Sequence, residues 1–282
     1  MDTFRRGRYT FTVTDRGPSD GEVVVLLHGF PETAASWDRA ADLLAERGLR
    51  TLAPDLRGYT PQANPQSRRA YRVDNLVGDV VALVEASGAP SVHVVGHDWG
   101  ATVAWMLAAH HPELVSTVTG ISVPHPGAYI RALVSSRQGL LSWYMAALQI
   151  PVLPERFLSR PGALEKTLRR TGQSAVAARR DAEKLSGSLT GPMNWYRGLP
   201  LTAPSYEFVP VDRPSLMIWG ADDRFVSRAA VSKCSAFVRS RYRLEVLPRI
   251  GHWIPDEAPE QIAPMLAEHF QLSHDGGPIG TK

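Results

Sequence analysis

The chain is nearly without cysteine: Cys234 is the only one in 282 residues. A single thiol excludes an intramolecular disulfide framework and a zinc site built on cysteines. Long apolar runs are also missing. No stretch approaches the ~18 apolar residues that span a bilayer, and residues 1–7 carry charge without the apolar core of a secretory signal. Nor is there a block of one charge sign. Lysine and arginine total 31 against 28 aspartate and glutamate, a formal charge of +3. Basic pairs such as Arg5/Arg6, Arg68/Arg69, Arg169/Arg170 and Arg179/Arg180 are scattered, which marks solvated faces rather than a nucleic-acid footprint. The sequence holds no P-loop, no glycosylation sequon and no internal repeat. His93 and His97 are four apart, but on a strand and a turn, so they do not share a helical face as metal ligands would. The expectation is a soluble cytoplasmic protein with no metal, no cofactor, and no nucleic-acid or membrane partner. Nothing in the sequence specifies an oligomeric state. With 44% hydrophobic residues the chain is long enough for a large core.

What is present is a regular alternation. Residues 22–28 (EVVVLLH) and 91–96 (SVHVVG) are short β-branched runs with turn residues at their ends, and Ser215–Gly220 (SLMIWG) has the same character. Residues 243–247 (RLEVL) alternate. Apolar runs with little alternation suit strands covered on both faces. Between them, residues 36–47 place Trp37, Ala40, Ala41 and Leu44 on one helical stripe, and 73–86 do likewise with Leu76, Val77, Val80 and Val84. Gly48 and Gly88 stand where C-terminal stops belong. The pattern predicts an α/β fold with a mostly parallel central sheet flanked by helices. The rhythm breaks after Pro124. Residues 126–209 read as helical, with Pro, Gly and Ser punctuation, and the alternation resumes at Pro214. The expected organisation is a core of 1–125 and 210–272, an inserted all-helical lid of 126–209, and a disordered tail of 273–282.

The most informative segment is VVGHDWGA, 94–101. A buried strand runs into Gly96-His97-Asp98-Trp99-Gly100 and then into a helix expected over 101–110. Glycines two before and two after Asp98 let the backbone turn sharply without a Cβ collision, which pushes the central side chain out beyond the sheet's carboxyl end. By itself Asp98 reads equally as a helix N-cap or as a nucleophile on a strand–turn–helix elbow. The downstream sequence favours the nucleophile, which needs an acid and then a histidine in chain order. Asp222 and Asp223 follow the strand ending at Gly220, and His252 in Gly251-His252-Trp253 follows the next strand.

With His28-Gly29-Phe30-Pro31-Glu32 and Pro54-Asp55-Leu56-Arg57-Gly58-Tyr59, these motifs make the sequence resemble an α/β-hydrolase of the epoxide hydrolase branch, related to the haloalkane dehalogenases, from about 9 to 270. Within the lid, Ser142-Trp143-Tyr144 with Gln149-Ile150-Pro151, and Asn194-Trp195-Tyr196-Arg197, resemble that family's two tyrosine-bearing segments. The resemblance implies the α/β-hydrolase fold, a small-molecule epoxide and water as substrates, and no cofactor. It implies Asp98 as nucleophile, His252 as base and Asp223 as the orienting acid, since the family's acid sits three positions after the strand-ending glycine, here Gly220. Asp222 is the runner-up. Tyr144 and Tyr196 correspond to donors on the leaving oxygen, and the backbone N–H groups of Phe30 and Trp99 to the oxyanion site. Pro31, Trp143, His125, Trp195 and Trp253 are expected to line the pocket. Asp55 and Arg57 are expected to pack and pair, and His97 to pack or hydrogen-bond beside the elbow.

An aspartate at the elbow is itself informative about substrate. Serine attacking an sp3 carbon would leave an ether that activated water cannot readily cleave. A carboxylate leaves an alkyl ester, whose carbonyl water can attack. Hydrolytic dehalogenation would use the same nucleophile, with indole N–H groups of Trp99 and of Trp143 or Trp195 around the halide. Phe30, where such enzymes often carry asparagine, and the tyrosine pair favour the epoxide. A non-catalytic ligand-binding member of the fold would have no need to retain Asp98, Asp223 and His252 together.

Overall fold

The computed structural model describes residues 1–273. Its sheet has eight strands: β1 (Thr3–Arg6), β2 (Tyr9–Arg16), β3 (Val23–Leu27), β4 (Arg50–Pro54), β5 (Val92–His97), β6 (Val115–Ile121), β7 (Ser215–Gly220) and β8 (Tyr242–Leu247). They lie in the order β1-β2-β4-β3-β5-β6-β7-β8. β2 is antiparallel to both β1 and β4, and the remaining pairs are parallel. The helices before β6 are α1 (Asp38–Ala45), α2 (Val73–Ser87) and α3 (Trp99–His110). Between β6 and β7 come α4 (Pro126–Ser135), α5 (Gln138–Leu141), α6 (Trp143–Leu148), α7 (Leu153–Leu158), α8 (Ala163–Arg170), α9 (Ala175–Lys184) and α10 (Thr190–Gly198), then 3-10 turns at Leu199–Leu201 and Pro204–Phe208. α11 (Arg228–Val231), α12 (Ile254–Glu257) and α13 (Pro259–Phe270) complete the described chain. No helix among the described residues is long and apolar enough to cross a membrane.

Residues of β3 show why its run lacks alternation. Val23, Val25 and Leu27 belong to one core cluster, and Val24 and Leu26 to the other. The first cluster takes in Val77 and Val80 of α2 and Val103 and Leu107 of α3; the second takes in Leu44 of α1 and Ile262 and Leu266 of α13. Each fully buried valine or leucine is worth about 1.5–3 kcal/mol over its exposed state, so both faces are held by helices. α2 ends where expected, with Gly88 at φ +75, a conformation glycine adopts without a Cβ penalty. β1, β2, β4 and β6 lie outside the sequence expectation; in β6 (VSTVTGI) threonine, serine and glycine interrupt the apolar run. β1 and β2 form an edge hairpin in which Phe4 stacks on Phe11 at 4.7 Å while polar residues alternate between them, and β4 is only five residues long. Neither gives a long apolar run.

β6 and β7 are paired neighbours, with Ile121 beside Ile218. The chain therefore leaves the carboxyl end of β6, makes seven helices without a strand, and returns to the adjacent position. Three of those helices, α6, α7 and α10, are tied together. The buried Arg197 of α10 donates to the carbonyls of Leu148 at 3.0 Å and Ile150 at 2.8 Å and pairs with Glu155 at 2.6 Å, and Gln149 Nε2 donates to the Tyr196 carbonyl at 2.6 Å. α10 is also anchored to the core, where Trp195 Nε1 donates to the Arg57 carbonyl at 2.7 Å. Arg57 pairs with the buried Asp79. The expected tail, beyond Ser273 itself, lies outside the described residues.

Candidate active site

β5 delivers Asp98 at the middle of the sheet. Asp98 has φ +51 and ψ −117, backbone angles a non-glycine residue seldom adopts unless its surroundings impose them. The flanking glycines are required by contact. A Cβ at Gly96 would lie 2.1 Å from the Gly100 carbonyl oxygen, and one at Gly100 would lie 2.1 Å from that of Leu27. The Asp98 side chain does not cap α3. Its Oδ1 accepts the Phe30 backbone N–H at 2.8 Å, and its Oδ2 faces His252 Nε2 at 3.5 Å.

His252 Nδ1 lies 2.8 Å from Asp223 Oδ2. The other Asp223 oxygen accepts the backbone N–H groups of Phe225 at 2.7 Å and Val226 at 2.9 Å, which aims the carboxylate. The Asp223 side chain is fully buried, whereas Asp222 is exposed. Asp223 is thus the aspartate brought to the imidazole. Burial works to lower the pKa of His252, but the charge and hydrogen bond of Asp223, with those of Asp98, raise it to about 10. For Asp98, burial works upward. It is outweighed by the hydrogen bond and charge of His252, the charge of His97 and the Phe30 N–H, which together hold the carboxyl below its usual range. The resting pair is a carboxylate facing an imidazolium.

A second buried pair supports both loops. The His252 carbonyl accepts the Ser122 hydroxyl at 2.8 Å and lies 2.9 Å from His97 Nε2. His97 Nδ1 is 2.6 Å from Glu32 Oε2, which also accepts the Gly29 N–H at 3.3 Å. Burial would raise the Glu32 pKa, yet the charge and hydrogen bond of His97 lower it. The His97 ring thus bridges the Glu32 carboxylate and the His252 carbonyl, one at each nitrogen. The pair joins the Gly29–Phe30 turn to the His252 loop. His97 was expected beside the elbow; Glu32 stands in a quoted motif but had no assigned role, because only its buried partner reveals one.

Tyr144 of α6 and Tyr196 of α10 come together near Asp98. Their rings meet edge to face at 6.1 Å, and Tyr196 packs against Phe30 at 5.3 Å and Trp99 at 5.1 Å. Burial is the main cause that pushes both phenols well above their ordinary pKa, with the Asp98 charge adding to it, so they are protonated donors at neutral pH. Asp98, Tyr144 and Tyr196 line two spaces. The larger, about 760 Å3, also has Pro31, Trp143, His252 and Trp253 in its wall. The smaller, about 80 Å3, extends toward Thr102, Tyr129, Leu133 and Glu207. Trp143 is 70% exposed and forms part of the rim.

Two expected pocket residues lie outside both spaces. His125 caps α4, its Nδ1 accepting the Gly127 N–H at 3.1 Å, and its ring stacks on Phe237 at 4.7 Å. Trp195 commits its N–H to Arg57 and packs behind Trp99 at 5.8 Å. Conversely, the sequence expectation omitted Phe225, whose ring packs 4.9 Å from His252 and 5.4 Å from Tyr144, and Glu207. Neither belongs to a motif; Phe225 is signalled only by its position two residues after Asp223.

The model of the alpha/beta hydrolase fold family matches residues 22–259. The AB hydrolase superfamily protein YfhM of Bacillus subtilis is 34% identical over 277 residues, which cover 93% of this chain and 94% of that protein. Epoxide hydrolase 3 of Xenopus tropicalis is 31% identical over 274 residues, 90% of this chain and 73% of its own length. Among solved structures, an epoxide hydrolase from Vigna radiata superposes with a TM-score of 0.82 at 26% identity, covering 94% of this chain and 95% of that one. With this sequence similarity added to the elbow and sheet, the chain belongs to the α/β-hydrolase fold family, in its epoxide hydrolase branch.

Proposed function

We propose that the enzyme hydrolyses an epoxide to a vicinal diol through a covalent ester on Asp98. The observation that carries this is the carboxylate itself, with Oδ1 on the Phe30 N–H, Oδ2 open toward His252, and two protonated phenols nearby. Oδ2 attacks a ring carbon and the C–O bond of the ring breaks. The electron pair goes to the epoxide oxygen, which takes a proton from Tyr144 or Tyr196. Donors that strengthen as charge develops lower this barrier rather than merely improving binding. Asp98 is now a neutral ester, so His252 loses one of its two anionic partners. Its raised pKa falls accordingly, and its Nε2 proton passes through solvent to the phenolate. The neutral imidazole, held by Asp223, then takes a proton from water as the water oxygen attacks the Asp98 carbonyl carbon. The oxyanion forms on Oδ1, where the Phe30 N–H already sits and the Trp99 N–H follows the nucleophile. Collapse breaks the bond between the carbonyl carbon and Oδ2, the proton on His252 goes to the departing diol, and Asp98 retains the solvent oxygen; the second water proton, left on that oxygen, passes to His252 and restores the carboxylate facing an imidazolium.

Segment 126–209 serves as the lid that supplies the phenols. Dehalogenation is the weaker alternative, because Trp195 gives its indole N–H to Arg57 and Trp143 is largely exposed. Incubation with styrene oxide and with 1-chlorobutane, following diol and chloride separately, tests the choice. In heavy-oxygen water, first-turnover diol should be unlabelled and the Asp98 carboxylate labelled. Quantitative label in first-turnover diol would establish direct water attack instead.

A further inference from the structure

The smaller space beside Asp98 has a buried acid in its wall. Most of its wall is apolar or aromatic, including Val123, Ile130, Leu133 and Leu199, yet Glu207 of the Pro204–Phe208 turn is also in it. Glu207 is 8% exposed, and its Oε1 is buried without a hydrogen-bond partner. Burial raises its pKa to about 7. A buried carboxyl left unpaired is costly to the fold, and nothing in the two-step chemistry requires one here. Because Asp98, Tyr144 and Tyr196 line the same space, a substituent that enters it from an epoxide poised over Asp98 meets the wall that holds Glu207.

Building on the epoxide chemistry above, we propose that Glu207 is a specificity-determining residue that binds a hydroxyl group carried on one substituent of the epoxide. A hydroxyl donates to a carboxylate and accepts from a carboxylic acid, so it matches Glu207 in either protonation state. A carbonyl matches only the acid, and an ammonium would have to lose its hydration within a largely apolar wall. Size limits the substituent. One water needs roughly 10–15 Å3 of such space, so about 80 Å3 holds a chain of roughly five to eight non-hydrogen atoms.

The test compares 5,6-epoxyhexan-1-ol with 1,2-epoxyheptane, whose substituents are equal in length and differ in a terminal hydroxyl against a methyl. The ratio of kcat/KM for the two should fall roughly 10–100-fold in Glu207→Leu, the worth of a buried hydrogen bond to a carboxyl group. Glu207→Gln, which keeps a donor and an acceptor, should retain most of the preference. Calorimetric titration of hexane-1,2,6-triol against heptane-1,2-diol makes the same comparison without turnover. If epoxides are opened but both ratios stay within about twofold of wild type in Glu207→Leu, the hydroxyl subsite is wrong. If the native enzyme opens no epoxide while triol affinity still falls selectively in Glu207→Leu, the epoxide reaction is refuted and the subsite stands.

Discussion

Replacing Asp223 by asparagine separates the two half-reactions. Asp223 Oδ1 is held by two backbone N–H groups, and only Oδ2 meets the His252 ring, at 2.8 Å. Asparagine fits the same volume. With its oxygen on those N–H groups, its amide NH2 points at His252 Nδ1 and forces the proton onto Nε2, the nitrogen that must accept from water. The variant also removes the larger of the two carboxylate contributions that raise the His252 pKa. A wrong tautomer without its counter-charge costs about 10³–10⁴ in a histidine-based hydrolysis, or roughly 4–5 kcal/mol of barrier. Attack by Asp98 needs no base, so alkylation should slow far less. Stopped-flow tryptophan fluorescence reads the first step through Trp99, which follows the nucleophile, and Trp253, which packs 5.3 Å from His252. Intact mass with a slow epoxide should show the Asp98 ester accumulating. Asp222→Asn, at an exposed carboxyl, should remain near native. Rapid turnover by Asp223→Asn, or a larger defect in Asp222→Asn, would overturn the assignment of the acid.

His252→Gln should trap the ester nearly completely, and steady turnover at the native rate would remove His252 as the base. Tyr144→Phe and Tyr196→Phe should each slow alkylation by a factor of ~10–1000, with the double variant nearly inactive on epoxides; unchanged pre-steady-state alkylation would exclude the phenols. Glu207→Gln should be more stable than the native protein at pH 8 but not at pH 4. The native acid is protonated in both states below its unfolded pKa of 4.5, whereas between 4.5 and its folded value of about 7 the unfolded chain alone ionises. The gap should open across that window to on the order of 3 kcal/mol, and parallel urea-unfolding curves at the two pH values would disprove it.

Local chemistry made the alternation, the elbow and the order of its partners legible in the sequence. Strands covered on both faces must be continuously apolar, as in β3. A side chain can stand at the Asp98 turn only if Gly96 and Gly100 flank it, because a Cβ at either meets a carbonyl oxygen at 2.1 Å. The polar edge hairpin β1–β2 shows the converse: its strands are specified by the partner they join rather than by their own composition. Partner choice was decided by tertiary structure alone. Asp222 and Asp223 are adjacent in sequence, yet only Asp223 turns into the core to meet a histidine 29 residues away. Tyr144 and Tyr196 share a site because Arg197 and Gln149 bind their helices together. His125 and Trp195 are excluded because capping and anchoring occupy their ring nitrogens. Glu32 and Glu207 differ in what burial left beside them, an imidazole for one and a largely apolar space for the other. Such pairings depend on which surfaces the helices present after they pack on the sheet, and no spacing along the chain encodes them.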